Sequence, residues 1–414
     1  MPLVLDIALT HLRHRKRQSL VSVLGVAMGV GFFIAMAALM QGFQSYFITK
    51  VIDVWPHVVM KDEFRTAPRQ PAEVLFEAGA LRLDGVKPRD ELRGIRDARV
   101  ALAEINRMPG VTAAPTLRGQ VFLRYGTRDV SATMVGIDPE RERTVSQLEK
   151  DLVAGNLNAL YSAANGLILG EGVARKIGAE MGDTLTAISP AGVVLKMKVI
   201  GIFRTGITVI DNFETYTLLK KAQVLQGRPN VINQIRIRLA DVKQARTIAG
   251  RLEARYGYRT ESWEETYENI LGIFVIQNGI MYSSVGAILI VAAFGIFNII
   301  STVIHEKTRD IAILKSMGFA ERDIRRIFLL EGLLVGIAGT LIGWALGQGL
   351  TRLLSVVRFN IEGFVTAQGF FLYYTINHYL IAGSFALVSS VFAAYLPARK
   401  AARLNPVEII RGAA

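Results

Sequence analysis

Between His305 and Gly318 the chain sets Glu306, Lys307, Arg309, Asp310 and Lys315 among Ile311, Leu314 and Met317. At roughly helical spacing Ile311, Leu314, Phe319, Ile324, Ile327 and Phe328 recur around a break at Gly318, with the charges on the other face. Such a pattern supports contact rather than catalysis. It reads as an amphipathic hairpin against anionic lipid or as a docking helix for a soluble partner. A second singular residue is Glu331, a carboxylate inside the apolar run Ile327 to Leu350. An ionised group there is costly and needs a partner, and a nearby cation such as Arg325 or Arg326 is the expected one. Elsewhere the chemistry is thin. No Gly-x-x-x-x-Gly-Lys-Ser/Thr loop is present to cradle phosphates. The five His show no zinc spacing, and the Ser, His and Asp residues form no nucleophile motif. With no Cys, disulfides, thiolate metal sites and a Cys nucleophile are excluded. No catalytic residue, metal site or cofactor site is expected in this chain.

The elements that must hold these residues are apolar. Of 414 residues 51% are hydrophobic and 20% charged, which disfavours both disorder and a purely soluble enzyme. A membrane-spanning helix needs about 20 nearly uncharged residues, because lipid offers no hydrogen bonds to the backbone. Four segments meet this: residues 19–40, 278–304, 327–350 and 379–396. The second lies in a longer charge-free run from Ile270 to Ile304 whose first part, with Gln277, Asn278 and Ser283, is expected outside the bilayer. The first segment has a rival reading as a cleavable secretory signal, with a basic start and Ala35-Met36-Ala37. Its apolarity continues past that site through Phe43 and Phe47, which favours a span.

Lys and Arg in the short connections set orientation. Residues 1–18 hold 4, residues 305–326 hold 6 and residues 397–414 hold 4, against 2 in residues 351–378. The N-terminal piece, the 305–326 connection and the C-terminal tail are therefore expected in the cytoplasm, with residues 41–269 and the short loop 351–378 on the other side. The three cytoplasmic pieces carry 14 basic and 6 acidic residues, or +8 of the chain's net +13. Most of the excess charge thus records orientation, and no nucleic-acid partner is implied. Membrane lipid is the expected surroundings.

Residues 41–269 read as an α+β domain. Val121–Tyr125, Ala132–Val135, Gly166–Leu169, Thr184–Ile188, Val193–Phe203 and Gln234–Leu239 have the β-branched, alternating character of strands. Ala98–Met108 and Val242–Tyr256 read as helices. Residues 62–96 look like an excursion or loop. Met40–Val54 and Trp263–Ile276 are amphipathic and lack a Pro or Gly-pair break, so they are expected to continue the first and second spans as helices.

The sequence resembles the MacB/FtsX/Lol-type permease subunits of ABC transporters. The resemblance rests on Glu306 to Gly318, on Glu331-Gly332-Leu333 with Gly336, Gly339 and Gly343, and on Pro397-Ala398-Arg399-Lys400-Ala401-Ala402 with Asn405-Pro406-Val407-Glu408. Leu169-Gly170-Glu171-Gly172-Val173-Ala174, Gly182-Asp183 and Val199-Ile200-Gly201-Ile202-Phe203 resemble the family's periplasmic domain. The resemblance implies four transmembrane helices with the α+β domain inserted between the first and second, in the inner membrane of a bacterium. It implies a partner ABC ATPase dimer that binds the ATP and Mg, and a second permease copy or a paralogue. The coupling helix that meets the ATPase would lie in residues 305–326, with Arg309, Asp310 and Lys315 as charged contacts and Ile311 and Leu314 as the apolar anchor. Gly332, Gly336, Gly339 and Gly343 make a small-residue face able to seat another helix of this chain or of the partner.

Within the family, the chain length, the separate ATPase and the second half look most like the lipoprotein-releasing members, whose role is extraction of a lipoprotein or another hydrophobic substrate. One departure stands against recruitment of a periplasmic chaperone by this chain. Where the recruiting permease carries a long hairpin projection, Ile188-Ser189-Pro190-Ala191-Gly192-Val193 is a tight turn. The alternatives are an efflux permease working with an adaptor protein, and a mechanotransmitter that activates a periplasmic partner without transport.

Overall fold

A computed structural model describes residues 2–14, 16–62, 75, 94–358, 361–362, 366–367, 369–405 and 409. The excursion expected at 62–96 lies largely outside these residues, as do Pro406, Val407 and Glu408. The chain divides into two compact units. One comprises residues 1–46, 272–359 and 368–414, and the other residues 47–271 and 360–367.

The first unit is helical. Its elements are α1 (Pro2–His14), α2 (Lys16–Val54), α3 (Glu268–Glu306), α4 (Thr308–Ser316), α5 (Glu321–Val356) and α6 (Ile376–Ala402). Among the described residues α2, α3, α5 and α6 are the four helices long and apolar enough to cross a membrane. They are longer than the apolar runs that mark them, because flanking polar residues continue the helix beyond the charge-free part. Of α2, residues 16–46 belong to the first unit and 47–54 to the second; α3 is shared likewise, with 268–271 in the second. Pro56 ends α2, since the residue before a proline is pushed out of the helical region. The second amphipathic flank is interrupted where a helix from Trp263 was expected. A capping box between Ser262 and Glu265 opens a short helix at Trp263–Thr266, Tyr267 breaks it, and α3 begins at Glu268. At the other end of the chain, α6 runs through Pro397 to Ala402.

The core of this unit is a layer of Val26, Val30, Ile34, Leu289, Ile296, Ile327, Phe328 and Ala394 contributed by α2, α3, α5 and α6. Polar side chains mark one end of it. Gln44 on α2 donates to Asn278 (3.1 Å) and Gln277 (3.4 Å) on α3, and His378 on α6 meets Gln41 on α2 at 2.8 Å.

The second unit is α+β. Ten strands, β1 (Val58–Lys61), β2 (Val111–Tyr125), β3 (Arg128–Ile137), β4 (Leu152–Gly155), β5 (Gly166–Gly170), β6 (Thr184–Ile188), β7 (Val194–Phe203), β8 (Glu214–Leu218), β9 (Gln234–Leu239) and β10 (Arg259–Ser262), join in the order β10-β1-β9-β2-β3-β8-β5-β7-β4, with β6 bridging β2 and β7. The six expected strands are present, and β1, β4, β8 and β10 are additional. The long β2 pairs with β9 through its first half and with β3 and β6 through its second, so it belongs to two cores. One core packs the helices Ala98–Ile105 and Ala245–Tyr256 on β1, β2 and β9; the other packs Glu171–Ile177 on β2, β3 and β5. The β6–β7 connection is the tight turn read from Ile188 to Val193, closed by Ser189 N–H to the Val193 carbonyl at 3.0 Å.

His57 fastens the end of α2 to this sheet. Its buried ring accepts from the Leu239 N–H at Nδ1 (3.1 Å) and donates from Nε2 to the Ile52 carbonyl (3.2 Å), one of the orphan carbonyls of the last turn. Those two bonds require a neutral ring, and burial, then the nearby Arg238 charge, push the imidazole below its ordinary value. A depressed histidine favours the folded state fully above the unfolded value of about 6.5, and that stability is lost as pH falls below it. The expected result is a loss of up to about 1.4 kcal/mol per pH unit in this window, seen by Trp55 fluorescence during denaturation and absent in His57→Phe. Equal pH slopes for the two proteins would remove His57 from this role.

Candidate functional site

The conspicuous surface is built on α4. Thr308 returns its hydroxyl to the Ile304 carbonyl (2.8 Å), Lys307 pairs with Asp310 at 2.7 Å, and Gly318 ends the turn with φ +98°, where a side chain would be strained. The expected 305–326 hairpin is thus nine residues of helix, the Gly318 turn and the first turn of α5.

Packing decides which face of α4 remains available. Ile311 is 3% exposed and sits with Ala312 in the helical core, while Leu314 is half-buried against it. The predicted apolar anchor therefore faces inward. The exposed apolar residues are Ile313 (47%) and Met317 (72%), which continue from Arg309 at i, i+4 and i+8 as one stripe. Asp310, Ser316 and Gly318 are exposed beside it, as is Glu306 at the end of α3. Ile313 escaped the sequence reading because 311, 313 and 314 are all apolar, and periodicity alone does not say which of them the bundle covers.

Lys315 was expected among the charged contacts, and the structure uses it otherwise. Its Nζ donates to the carbonyls of Ala402 (2.8 Å) and Leu404 (2.7 Å), capping the end of α6. Lys315 is itself half-buried, and α4 and the last long helix are joined by these two charge-assisted bonds.

Glu331 is 3% exposed, and its partner is neither Arg325 nor Arg326. Five and six residues away on a helix those arginines project from other faces; Arg326 lies 3.7 Å from Asp323, and Arg325 is exposed. Glu331 Oε1 instead meets His11 Nδ1 on α1 at 3.0 Å, a contact across 320 residues of sequence.

The glycines of α5 face two neighbours within this chain. A Cβ at Gly332 would lie 2.5 Å from Ala394, and one at Gly336 would lie 2.9 Å from Ser390, both on α6. Gly339 and Gly343 are equally closed against Val26 (2.7 Å) and Val30 (2.6 Å) on α2. The small-residue face thus seats two helices of the same subunit. On the other side of α2, Val21, Gly25, Met28, Ile288, Val291 and Gly295 line an open apolar groove of about 500 Å³ between α2 and α3.

In the second unit, charges are buried beside the α2 terminus. Arg236 and Glu142 pair at 2.8 Å with both side chains nearly inaccessible, Arg118 pairs with Glu214 at 2.9 Å, and Tyr216 donates to Glu214 at 2.9 Å. Burial penalises the Arg236 guanidinium, but the Glu142 and Glu214 carboxylates outweigh that and hold it above its ordinary value. Trp55 lies 6.0 Å from both Arg118 and Arg236.

Comparison with known proteins follows the same division. Residues 19–255 match the MacB-like periplasmic core domain and residues 282–406 the FtsX-like permease C-terminal domain. The chain is 27% identical to the lipoprotein-releasing system transmembrane protein LolC of Neisseria meningitidis serogroup B, over 98% of each chain. It is 24% identical to the uncharacterized ABC transporter permease YknZ of Bacillus subtilis, over 98% of this chain and 97% of that one. With the macrolide export ATP-binding/permease protein MacB of a Shewanella species it shares 25% identity over 96% of this chain and 58% of the relative.

Proposed function

Because this chain belongs to the ABC transporter permeases built from a MacB-like periplasmic core domain and an FtsX-like C-terminal domain, we propose that it couples ATP hydrolysis by a separate ATPase subunit to a conformational change of its inserted domain. The observation that carries this reading is the exposed stripe Arg309, Ile313 and Met317 on α4, the short helix between α3 and α5. Its buried side holds α4 to the bundle, and Lys315 ties it to α6. Movement of α4 by the ATPase is then handed to the bundle and, along the unbroken α2 and α3, into the residues of those helices that belong to the inserted domain.

In this reading α4 and both chain ends are cytoplasmic, the inserted domain is periplasmic, and the chain sits in the bacterial inner membrane with a second copy or a paralogue. ATP and Mg are held by the ATPase. The substrate is a lipoprotein or another hydrophobic molecule, supported by the apolar groove between α2 and α3 and by the likeness to a lipoprotein-releasing protein. The tight β6–β7 turn favours a division of labour in which a paralogue or an adaptor engages the periplasmic partner.

The test is co-purification of the native ATPase with full-length variants. Ile313→Glu combined with Met317→Glu charges the exposed stripe without entering the core and is expected to reduce recovered ATPase at least tenfold. Asp310→Arg should give a smaller loss. Leu314→Glu is a poorer probe because that side chain is half-buried. Wild-type recovery of ATPase with the Ile313/Met317 double variant would sink the assignment of α4.

A further inference from the structure

We propose that the groove between α1, α5 and α6 holds one anionic phospholipid, with its phosphate at Arg322 and Arg326 and an acyl chain along the leucines of α5. The site rests on the reading of α5 and α6 as membrane spans and not on coupling to an ATPase.

α1 carries stripes of three kinds. Ala8 and Leu12 pack into the helical core, with Ile7 beside them. Asp6, Thr10 and His14, which recur every four residues, are exposed and line a polar cavity of about 480 Å³ together with Lys307. Leu5 and Leu9 form the remaining stripe and are 42% and 43% exposed. One uncovered side of α1 is therefore polar and the other apolar. That division suits a helix lying at the surface of a bilayer, with water on one side and acyl chains on the other.

The groove opens on the leucine side. It measures about 570 Å³ and is walled by Val4 and Leu5 of α1, Leu329, Leu330 and Leu333 of α5, and Val391 of α6. Its polar lining is Asp323 and Arg326, both from the start of α5. Charge thus sits at one end and hydrocarbon along the rest. From Arg326 to Leu333 the helix rises about 10 Å, against the ~15 Å of one bilayer leaflet. The wall matches the first part of a chain whose headgroup stays at the arginine end.

The sign of the headgroup follows from the groups at that end. Arg326 lies 3.7 Å from Asp323, and its side chain is 58% exposed. The other Asp323 oxygen accepts from the Ala320 N–H at 3.2 Å, which fixes this carboxylate to the first turn of α5. Arg322 stands one turn before Arg326 on the same stripe, is exposed, and pairs with no carboxylate among the described residues. Residues 321–326 hold three arginines against two carboxylates. A zwitterionic lipid brings its own cation to this end, whereas an anionic one brings only the phosphate that a guanidinium can hold by two parallel bonds.

The experiment places the full chain in phosphatidylcholine nanodiscs with a minor share of phosphatidylglycerol, then weighs the released chain with its retained lipid by native mass spectrometry. The expected result is one retained phosphatidylglycerol per chain, enriched at least fivefold over its share in the bilayer. Arg322→Gln combined with Arg326→Gln should bring the enrichment down to that share. Val391→Trp, which fills the groove from a wall outside the core, should remove the retained lipid. A wild-type chain that enters the nanodiscs and retains no phosphatidylglycerol overturns the site alone, and needs no variant to fold. A chain that does not enter them overturns the membrane reading and the site with it. Equal enrichment in the wild type and the double arginine variant, or unchanged retention in Val391→Trp, overturns the proposal. So does displacement of the lipid by soluble glycerol phosphate, which would mark a free-phosphate site. A lipid-free dimer that separates in Val391→Trp would give the groove to a second copy and overturn it equally. Recovery of the ATPase with the Ile313/Met317 variant reports on α4 independently of all these outcomes.

Discussion

Replacing Arg236 with alanine is expected to lower the unfolding free energy of the inserted domain by about 3–5 kcal/mol, the cost of leaving a buried carboxylate without its counter-charge. Arg236 is 2% exposed and Glu142 is wholly inaccessible, so water cannot take the place of the lost guanidinium without opening the core. The cost of the single substitution is not the worth of the pair. Removing both charges, as Arg236→Met with Glu142→Leu, should recover most of the loss, because the desolvation penalty of each ion disappears with it. Denaturation of the full chain followed by tryptophan fluorescence is a suitable measurement, since Trp55 lies 6.0 Å from Arg236. An Arg236→Ala protein within 1 kcal/mol of wild type would show that the pair does not hold this core.

The second large effect is steric. Gly343→Leu should prevent α5 from seating against α2, because the first added atom already falls 2.6 Å from Val30 and 2.9 Å from the Ala27 carbonyl. Backbone cannot yield as a side chain can, so the helices must part. Gly343→Ala alone is expected to cost about 1–3 kcal/mol, the usual range for overpacking, and leucine more. Gly349 is the matched control on the same helix, since nothing lies within 4 Å of a Cβ placed there; Gly349→Ala should be neutral or slightly stabilising through helix propensity. Thermal unfolding reported by Trp344, beside Gly343, would compare the three. Equal midpoints for Gly343→Leu and Gly349→Ala would exclude close packing of α5 on α2.

The two units differed in how much the sequence disclosed. Long apolar runs are strong signals, and α2, α3, α5 and α6 could be placed from them to within their polar ends. In the insert, the long or alternating strands β2, β3, β5, β6, β7 and β9 were legible. Four were not. β1, β4, β8 and β10 are four or five residues each, and β1 exists because it lies between β9 and β10, which are nearly two hundred residues further on. At the candidate site the short helix was legible and the orientation of its faces was not. Ile311, Ile313 and Leu314 are chemically alike, and only packing turns 311 inward and leaves 313 outside. Lys315 and Glu331 carried the same ambiguity for charge. Lys315 was expected to meet another subunit and Glu331 a neighbour in sequence, and each has a partner far along this chain, at the end of α6 and on α1.

The capping of α6 by Lys315 also bears on how such subunits can be recombined. On the proposed reading of α4 as the ATPase contact, a graft of α4 alone from a paralogue would bring a new docking face while leaving the Ala402 and Leu404 carbonyls to whatever side chain arrives at position 315. The exchangeable cassette is discontinuous: α4 together with the end of α6 and Leu404. On that reading, inheritance of ATPase specificity should follow that two-part module rather than the nine-residue helix.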